Sequence, residues 1–197
     1  MKMHFNAPGI PDEAFVRRPG IPMTKQEIRV ISLAKLHLFP GAVVYDIGAG
    51  TGSVAIECRL LVGDGQVFAV ESNLEAVELI KLNCFRFKVQ LDLVPGSAPE
   101  AIKSLPAADR IFVGGSGGEI EAMLLACDQK LKAGGIMVLN SVTLYTAPAA
   151  CQTLERLGYD VQVVQVNVAV NELRGRARMW LAHNPVTIIS GKKGELP

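Results

Sequence analysis

Histidine and cysteine are scarce in this chain, at three and four of 197 residues, and neither is arranged for metal or redox chemistry. His4, His37 and His183 are dispersed, and Cys58, Cys84, Cys127 and Cys151 form no C-x-x-C pair. No resident metal ion is therefore expected. Each cysteine falls in a segment of helical pattern, where a small buried thiol is the expected role. No charge sign dominates: 20 Lys and Arg face 19 Asp and Glu, a formal net charge of +1. That balance, and the lack of interleaved basic and aromatic residues, argues against nucleic acid as the main partner. Long apolar runs are also missing; none approaches the roughly 20 residues that cross a bilayer. The opening "MKMHFNAPGIPDEAF" carries no signal-peptide stretch. A cytoplasmic protein without a membrane partner is expected. With 49% hydrophobic residues, the chain is long enough to bury a core as one domain, 1–197.

What is present is alternation. Strand-like runs occur at Ala42–Ile47, Gln66–Glu71, Gln90–Val94, Arg110–Val113, Ile136–Asn140, Asp160–Val170 and Met179–Ala182, the last extending toward Ile188. Helical patterns lie between them at Ser53–Leu61, Leu74–Phe85, Pro99–Leu105, Ile120–Leu131 and Ala147–Leu157. Repeated βα units with apolar strands predict a doubly wound α/β fold, a mostly parallel sheet with helices on both faces. The last two strands break the βα rhythm and predict a hairpin with one strand antiparallel. Residues 1–40 form an N-terminal segment and helix ahead of the α/β core at 41–197. Thr24 and Glu27 spell a T-x-x-E capping box that would start a helix at Lys25.

The stretch "VVYDIGAGTGSVAIE" at Val43–Glu57 follows the first strand. Gly50, Gly52 and Ala55 spell G-x-G-x-x-A, a dinucleotide fingerprint, while Gly48, Gly50 and Gly52 give a tighter pattern with Ala49 and Thr51 between them. Either way, a glycine turn that opens a helix lets backbone N–H groups approach an anionic group. Asp46 is the discriminator. A carboxylate at the mouth of the site would repel a pyrophosphate by about 1–4 kcal/mol at 4 Å and would favour an ammonium, as in S-adenosylmethionine. Glu71 ends the second strand, where a carboxylate can accept from ribose hydroxyls. Gly96, Ser97 and Ala98 follow the third strand, and their small size leaves room for an adenine or forms a plain turn.

These residues resemble the class I methyltransferases that use S-adenosylmethionine: "YDIGAGTGS" matches their first motif and Glu71 their ribose acid. A seven-stranded sheet with a reversed final strand is what that resemblance implies. More narrowly, "RRPGIPMTKQEIR", "YDIGAGTGSVAIE", "PGSAPEAI", "ADRIFVGGSGG" and "LKAGGIMVLNSVTL" resemble the decarboxylating precorrin C15-methyltransferases of cobalamin biosynthesis, from about Pro11 to Ala182. The implied reaction is C15-methylation of a corrin precursor of the cobalt-precorrin-6B type, with decarboxylation of the C12 acetate. A free-standing chain of this length leans toward the cobalt-containing substrate. The resemblance also implies a homotetramer and places Thr24 in the cofactor pocket; as a helix cap the same hydroxyl would be engaged by backbone.

An anionic tetrapyrrole calls for basic side chains and N–H donors. Arg17, Arg18, Lys25 and Arg29 flank the N-terminal entry, and Arg174, Arg176 and Arg178 alternate, on one side of an extended segment. Gly114, Gly115, Gly117 and Gly118 follow the fourth strand as N–H donors or as a tight turn, and Asn140, Ser141 and Thr143 follow the fifth. No residue is assigned to proton delivery. The alternating Asp160–Val170 run suggests a face covered by a second copy. Three other readings stay open: a methyltransferase for a tRNA base or protein carboxylate, a cofactor-binding subunit without activity, and a dehydrogenase.

Overall fold

The structure, a computed structural model, describes residues 8–115 and 118–194. His4 and Gly117 lie outside the described residues. The elements are α1 (Gln26–Leu36), β1 (Val43–Ile47), α2 (Ser53–Leu61), β2 (Gln66–Glu71), α3 (Leu74–Phe87), β3 (Asp92–Pro95), β4 (Ala108–Val113), α4 (Ile120–Lys130), β5 (Leu131–Ser141), α5 (Thr146–Arg156), β6 (Asp160–Val166), β7 (Ala169–Arg174), β8 (Ala177–Ala182) and β9 (Val186–Lys192). Seven strands form one sheet in the order β3-β2-β1-β4-β5-β9-β6. β1 to β5 are parallel, and β9 runs antiparallel between β5 and β6. Among the described residues no helix is long and apolar enough to cross a membrane.

The period of two along the strands sorts side chains into two layers. Tyr45, Ile47, Ile111, Val113, Met137 and Leu139 pack with residues of α4 and α5. Val44, Phe112 and Val138 pack on the other face with residues of α1, α2 and α3. Cys58 and Cys127 are buried and Cys84 and Cys151 half-buried, all four free. Burial pushes the Cys127 thiol up to about 12, with the Asp128 charge adding to it.

Four sequence expectations change. The Asp160–Val170 run is two strands, because the chain leaves the sheet after Val166 and starts a separate hairpin, β7–β8. Met179–Ala182 lies in that hairpin, and the sheet's reversed last strand is Val186–Lys192. The Pro99–Leu105 helix shrinks to a 3-10 turn at Glu100–Ile102, whose Ile102 is nonetheless buried in the core with Ala98, Ala101 and Leu105 packed against it. The capping box does not form. α1 begins at Gln26 after an extended Lys25 that makes no side-chain cap, and the Thr24 carbonyl is instead taken by Arg29 Nη1 at 2.5 Å.

Candidate active site

In a parallel sheet the strand order reverses where neighbouring loops part, and ligands bind at the carboxyl ends there. Here that point lies between β1 and β4, adjacent in the sheet but wound in opposite directions. The two loops meet: Gly114 N–H donates to the Ile47 carbonyl at 2.8 Å, and a Cβ on Gly48 would lie 3.0 Å from the Gly115 backbone. Gly48, Gly50 and Gly52 all have positive φ, and Gly52 caps α2. Side chains at these positions would be strained.

Glu71 ties the loop to the next strand. Its Oε2 accepts the Gly50 N–H and its Oε1 the Asn73 N–H, each at 2.8 Å. Each oxygen keeps a further lone pair for a ligand hydroxyl. Asn73 in turn caps α3, accepting from the Glu75 and Ala76 N–H groups. Gly96 N–H donates to the Glu71 carbonyl at 2.9 Å, which brings the Gly96–Ala98 turn beside the same strand end. Ser97 is exposed and Ala98 half-buried.

Asp46 is placed differently from the sequence expectation. It shares a strand face with Val44 and so points beneath α2, 1% exposed. Its Oδ2 accepts the Ala55 N–H at 2.9 Å, while Oδ1 is buried without a partner among the described residues. The alternation along β1, rather than the position at its end, decides this. The carboxylate therefore organises the helix start from below, and the charge argument against a pyrophosphate at the mouth loses its geometry. Desolvation pushes the Asp46 carboxyl up to about 7, opposed by the Ala55 N–H and assisted by the Glu71 charge. A carboxyl raised on folding contributes stability at low pH that is lost as pH rises through its folded value. Without ligand, wild-type stability is expected to fall between about pH 4 and 7 relative to Asp46→Asn, as measured by denaturant midpoints across that range.

Residues 8–25 form a strap across the loop. The Pro22 carbonyl lies 2.5 Å from where a Gly50 Cβ would be. The strap hangs on Arg29, fully buried, whose Nε donates to Glu57 Oε1 at 2.5 Å and whose Nη1 donates to Asp12 Oδ1 at 3.2 Å. Nη2 donates to the Ile10 carbonyl, and the guanidinium lies 4.9 Å from the Phe15 ring centroid. Glu57 also accepts the Gly9 and Ile10 N–H groups at 2.7 and 3.1 Å. Arg29, grouped in the sequence with the entry cations, is thus a buried anchor. A second tie is Asn83, which accepts the Val16 N–H at 2.7 Å and donates to the Thr51 carbonyl at 2.9 Å. Asn83→Ala strands those groups, and a loss of about 1–3 kcal/mol is expected in denaturant unfolding.

Between the strap, the ends of β4 and β5, and the root of β7–β8 lies a cavity of about 480 Å³. Thr24, Lys25, Gly114 and Asn140 line it together with His183. Arg17, Arg18 and Lys25 border an adjoining recess. Asn140 Oδ1 is 3.0 Å from Ser32 Oγ, and its Nδ2 is buried without a partner among the described residues. Ser141 and Thr143 are bonded to each other. Arg176 is not brought in: it sits in the turn at the hairpin tip. Register puts Leu173 opposite Arg178 and Arg174 opposite Ala177, so Arg174 and Arg178 point to opposite faces. His183 was missed, because its only sequence signal was its rarity. A larger groove lined by Lys35, His37 and Arg110 lies at the opposite sheet edge, away from these loops.

A sequence model of the precorrin methyltransferase domain matches residues 14–193. The chain belongs to the precorrin methyltransferase family. A relative from Sulfurisphaera tokodaii, named as a probable cobalt-precorrin-6B C(15)-methyltransferase (decarboxylating), is 43% identical over 94% of this chain and 98% of its own. A crystal structure of a precorrin-6y C5,15-methyltransferase from Geobacter metallireducens superposes with TM-score 0.89 at 42% identity, covering 94% of this chain and 98% of that one. A structure described as precorrin 8w decarboxylase from Methanobacterium thermoautotrophicum gives 0.88 at 34% identity, over 92% and 98%. The matched residues include the glycine loop and the strap from residue 14 onward.

Proposed function

We propose that the chain is an S-adenosylmethionine-dependent enzyme. In this reading it methylates C15 of a corrin precursor of the cobalt-precorrin-6B type and releases the C12 acetate carboxyl as carbon dioxide, in cobalamin biosynthesis. The observation that carries the reading is the glycine loop, locked to Glu71 and opening beside the strap cavity. S-Adenosylmethionine, when bound, supplies an electrophilic methyl group on a sulfonium. The Gly48–Gly52 turn with Ala49 and Thr51 offers close backbone approach to it, Glu71 has acceptors for a ribose, and Gly96–Ala98 borders the adenine end. Thr24, its hydroxyl not used as a helix cap, lines the cavity side. Asp46 and Thr51 each have a buried oxygen without a partner among the described residues, which suits a polar ligand or water beneath the loop. Apolar walls from Met23, Ile28 and Val186 suit a macrocycle, and Arg18 and Lys25, with Gly114 and Gly115, suit its carboxylates.

The core at 41–197 and the strap work in this reading as one domain, in the cytoplasm, with no metal ion of its own. The exposed Leu173, Met179 and Trp180 of β7–β8, together with β6 at an open sheet edge, support association into a homo-oligomer such as a tetramer. Sedimentation is expected to show the assembly, and Trp180→Glu to shift it toward smaller species. The cofactor is tested by calorimetry with S-adenosylmethionine and a nicotinamide dinucleotide side by side. Binding of the first alone is expected; binding of the second alone would return the dehydrogenase reading.

A further inference from the structure

We propose that His183 carries the proton of the decarboxylation step. The inference rests on the function proposed above and adds a side chain for a step that the reaction requires. Two observations carry it. Of the side chains lining the cavity, the titratable ones are Lys25 and His183. Lys25, at the head of α1, faces Asp12 Oδ2 at 3.6 Å, and an ammonium is in general a far weaker acid than an imidazolium. His183 sits at the root of β7–β8, its backbone N–H donating to the Val168 carbonyl at 2.8 Å. The residue is half-buried, and among the described residues no group engages the ring nitrogens.

The second observation is the fixed polar group in the same wall. One end of the Asn140 amide meets Ser32, and its Nδ2 is buried without a partner among the described residues. The amide borders the cavity, where Val142, Val168 and Val186 keep its surroundings apolar. A carboxylate drawn into such a wall loses hydration, which favours its departure as neutral carbon dioxide.

The atoms and electrons balance as follows. Methylation leaves the conjugated ring electron-poor by one positive charge. The bond between the acetate methylene and its carboxylate breaks, the pair enters the ring, and carbon dioxide leaves, which restores neutrality there. The exocyclic carbon then becomes a methyl group by forming a C–H bond with the proton of the His183 imidazolium; until that proton arrives the electron-rich carbon recaptures the carbon dioxide still held in the cavity, so net release waits on His183. A ring position gives up a proton in exchange, so the imidazole is recharged and no net proton is consumed. Histidine suits this shuttle because it takes and gives a proton near neutral pH.

The test follows single turnovers of the full chain with S-adenosylmethionine and the corrin precursor, counting methyl transfer and carbon dioxide separately. His183→Ala and His183→Asn are expected to transfer the methyl group at close to the wild-type rate. Carbon dioxide release is expected to slow by about 100-fold or more and, in His183→Ala, to recover with added imidazole. In D2O the new side-chain methyl of the wild-type product should contain one deuterium. Carbon dioxide release at the wild-type rate in both variants would overturn the role of His183. So would a joint fall of both half-reactions that imidazole does not rescue, since that marks a structural role. A wild-type chain that transfers no methyl group overturns the proposed function itself, a distinct result.

Discussion

Replacing Arg29 by alanine is expected to lower stability by about 3–5 kcal/mol, which corresponds to a fall in Tm on the order of 10 °C for a chain of this size. The reason is what remains. Glu57 is 2% exposed, and without the guanidinium its charge stays buried against two backbone N–H groups alone. The Thr24 and Ile10 carbonyls lose their donors at the same time. Glu57→Gln should cost less, because the amide keeps one acceptor for the strap. Combining Glu57→Gln with Arg29→Ala should destabilise by less than the sum of the two, since the pair then disappears together. The effect should extend to the site: with the Thr24 carbonyl released, the strap loses its registration on the glycine loop, and cofactor affinity should fall with stability. Thermal unfolding of the four proteins, with and without S-adenosylmethionine, checks both parts. Full additivity would show that Arg29 and Glu57 do not act as a pair.

Gly50→Ala is expected to weaken cofactor binding on the order of 100-fold, equivalent to about 3 kcal/mol. Two costs combine there. The backbone stands at φ +55, where an L side chain loses roughly 1–2 kcal/mol, and the added carbon would lie 2.5 Å from the Pro22 carbonyl oxygen. Either the strap lifts or the loop shifts off Glu71. Gly63 provides the control. It has φ +58 but nothing within 4 Å of a new Cβ, and it lies in the turn before β2, at the far edge of the sheet. Gly63→Ala should therefore carry the conformational cost alone and bind cofactor as wild type does. Calorimetric titration separates the two variants; equal affinities would remove the strap from the site.

The sheet was legible because βα alternation and buried strands are local patterns. The five parallel strands and four of the five helices read between them appear at or near their sequence positions. The reversed last strand was implied, yet its location was not. "DVQVVQVNVAV" alternates without interruption, and nothing in that pattern marks where the chain leaves the sheet after Val166. The glycine loop and Glu71 were legible because their spacing follows from one βαβ unit. Asp46 was misplaced because its charge was weighed without its strand face: Val44 and Asp46 are two apart, and the same period that buries one buries the other. Arg29 shows a different limit. A cation among surface cations reads as surface charge, and only the strap, Glu57 and Phe15 meeting in space make it an anchor. His183 lies nearly 160 residues from Thr24 in the chain, and the cavity that joins them exists only once β9 inserts beside β5.

The most direct measurement is a simultaneous count of labelled methyl groups and carbon dioxide, made with the purified chain, S-adenosylmethionine and a cobalt-containing corrin precursor. One methyl group in the corrinoid for each carbon dioxide released is the expected result. Methyl transfer to tRNA or protein with none to the corrinoid would contradict it, as would a methylated corrinoid formed without carbon dioxide.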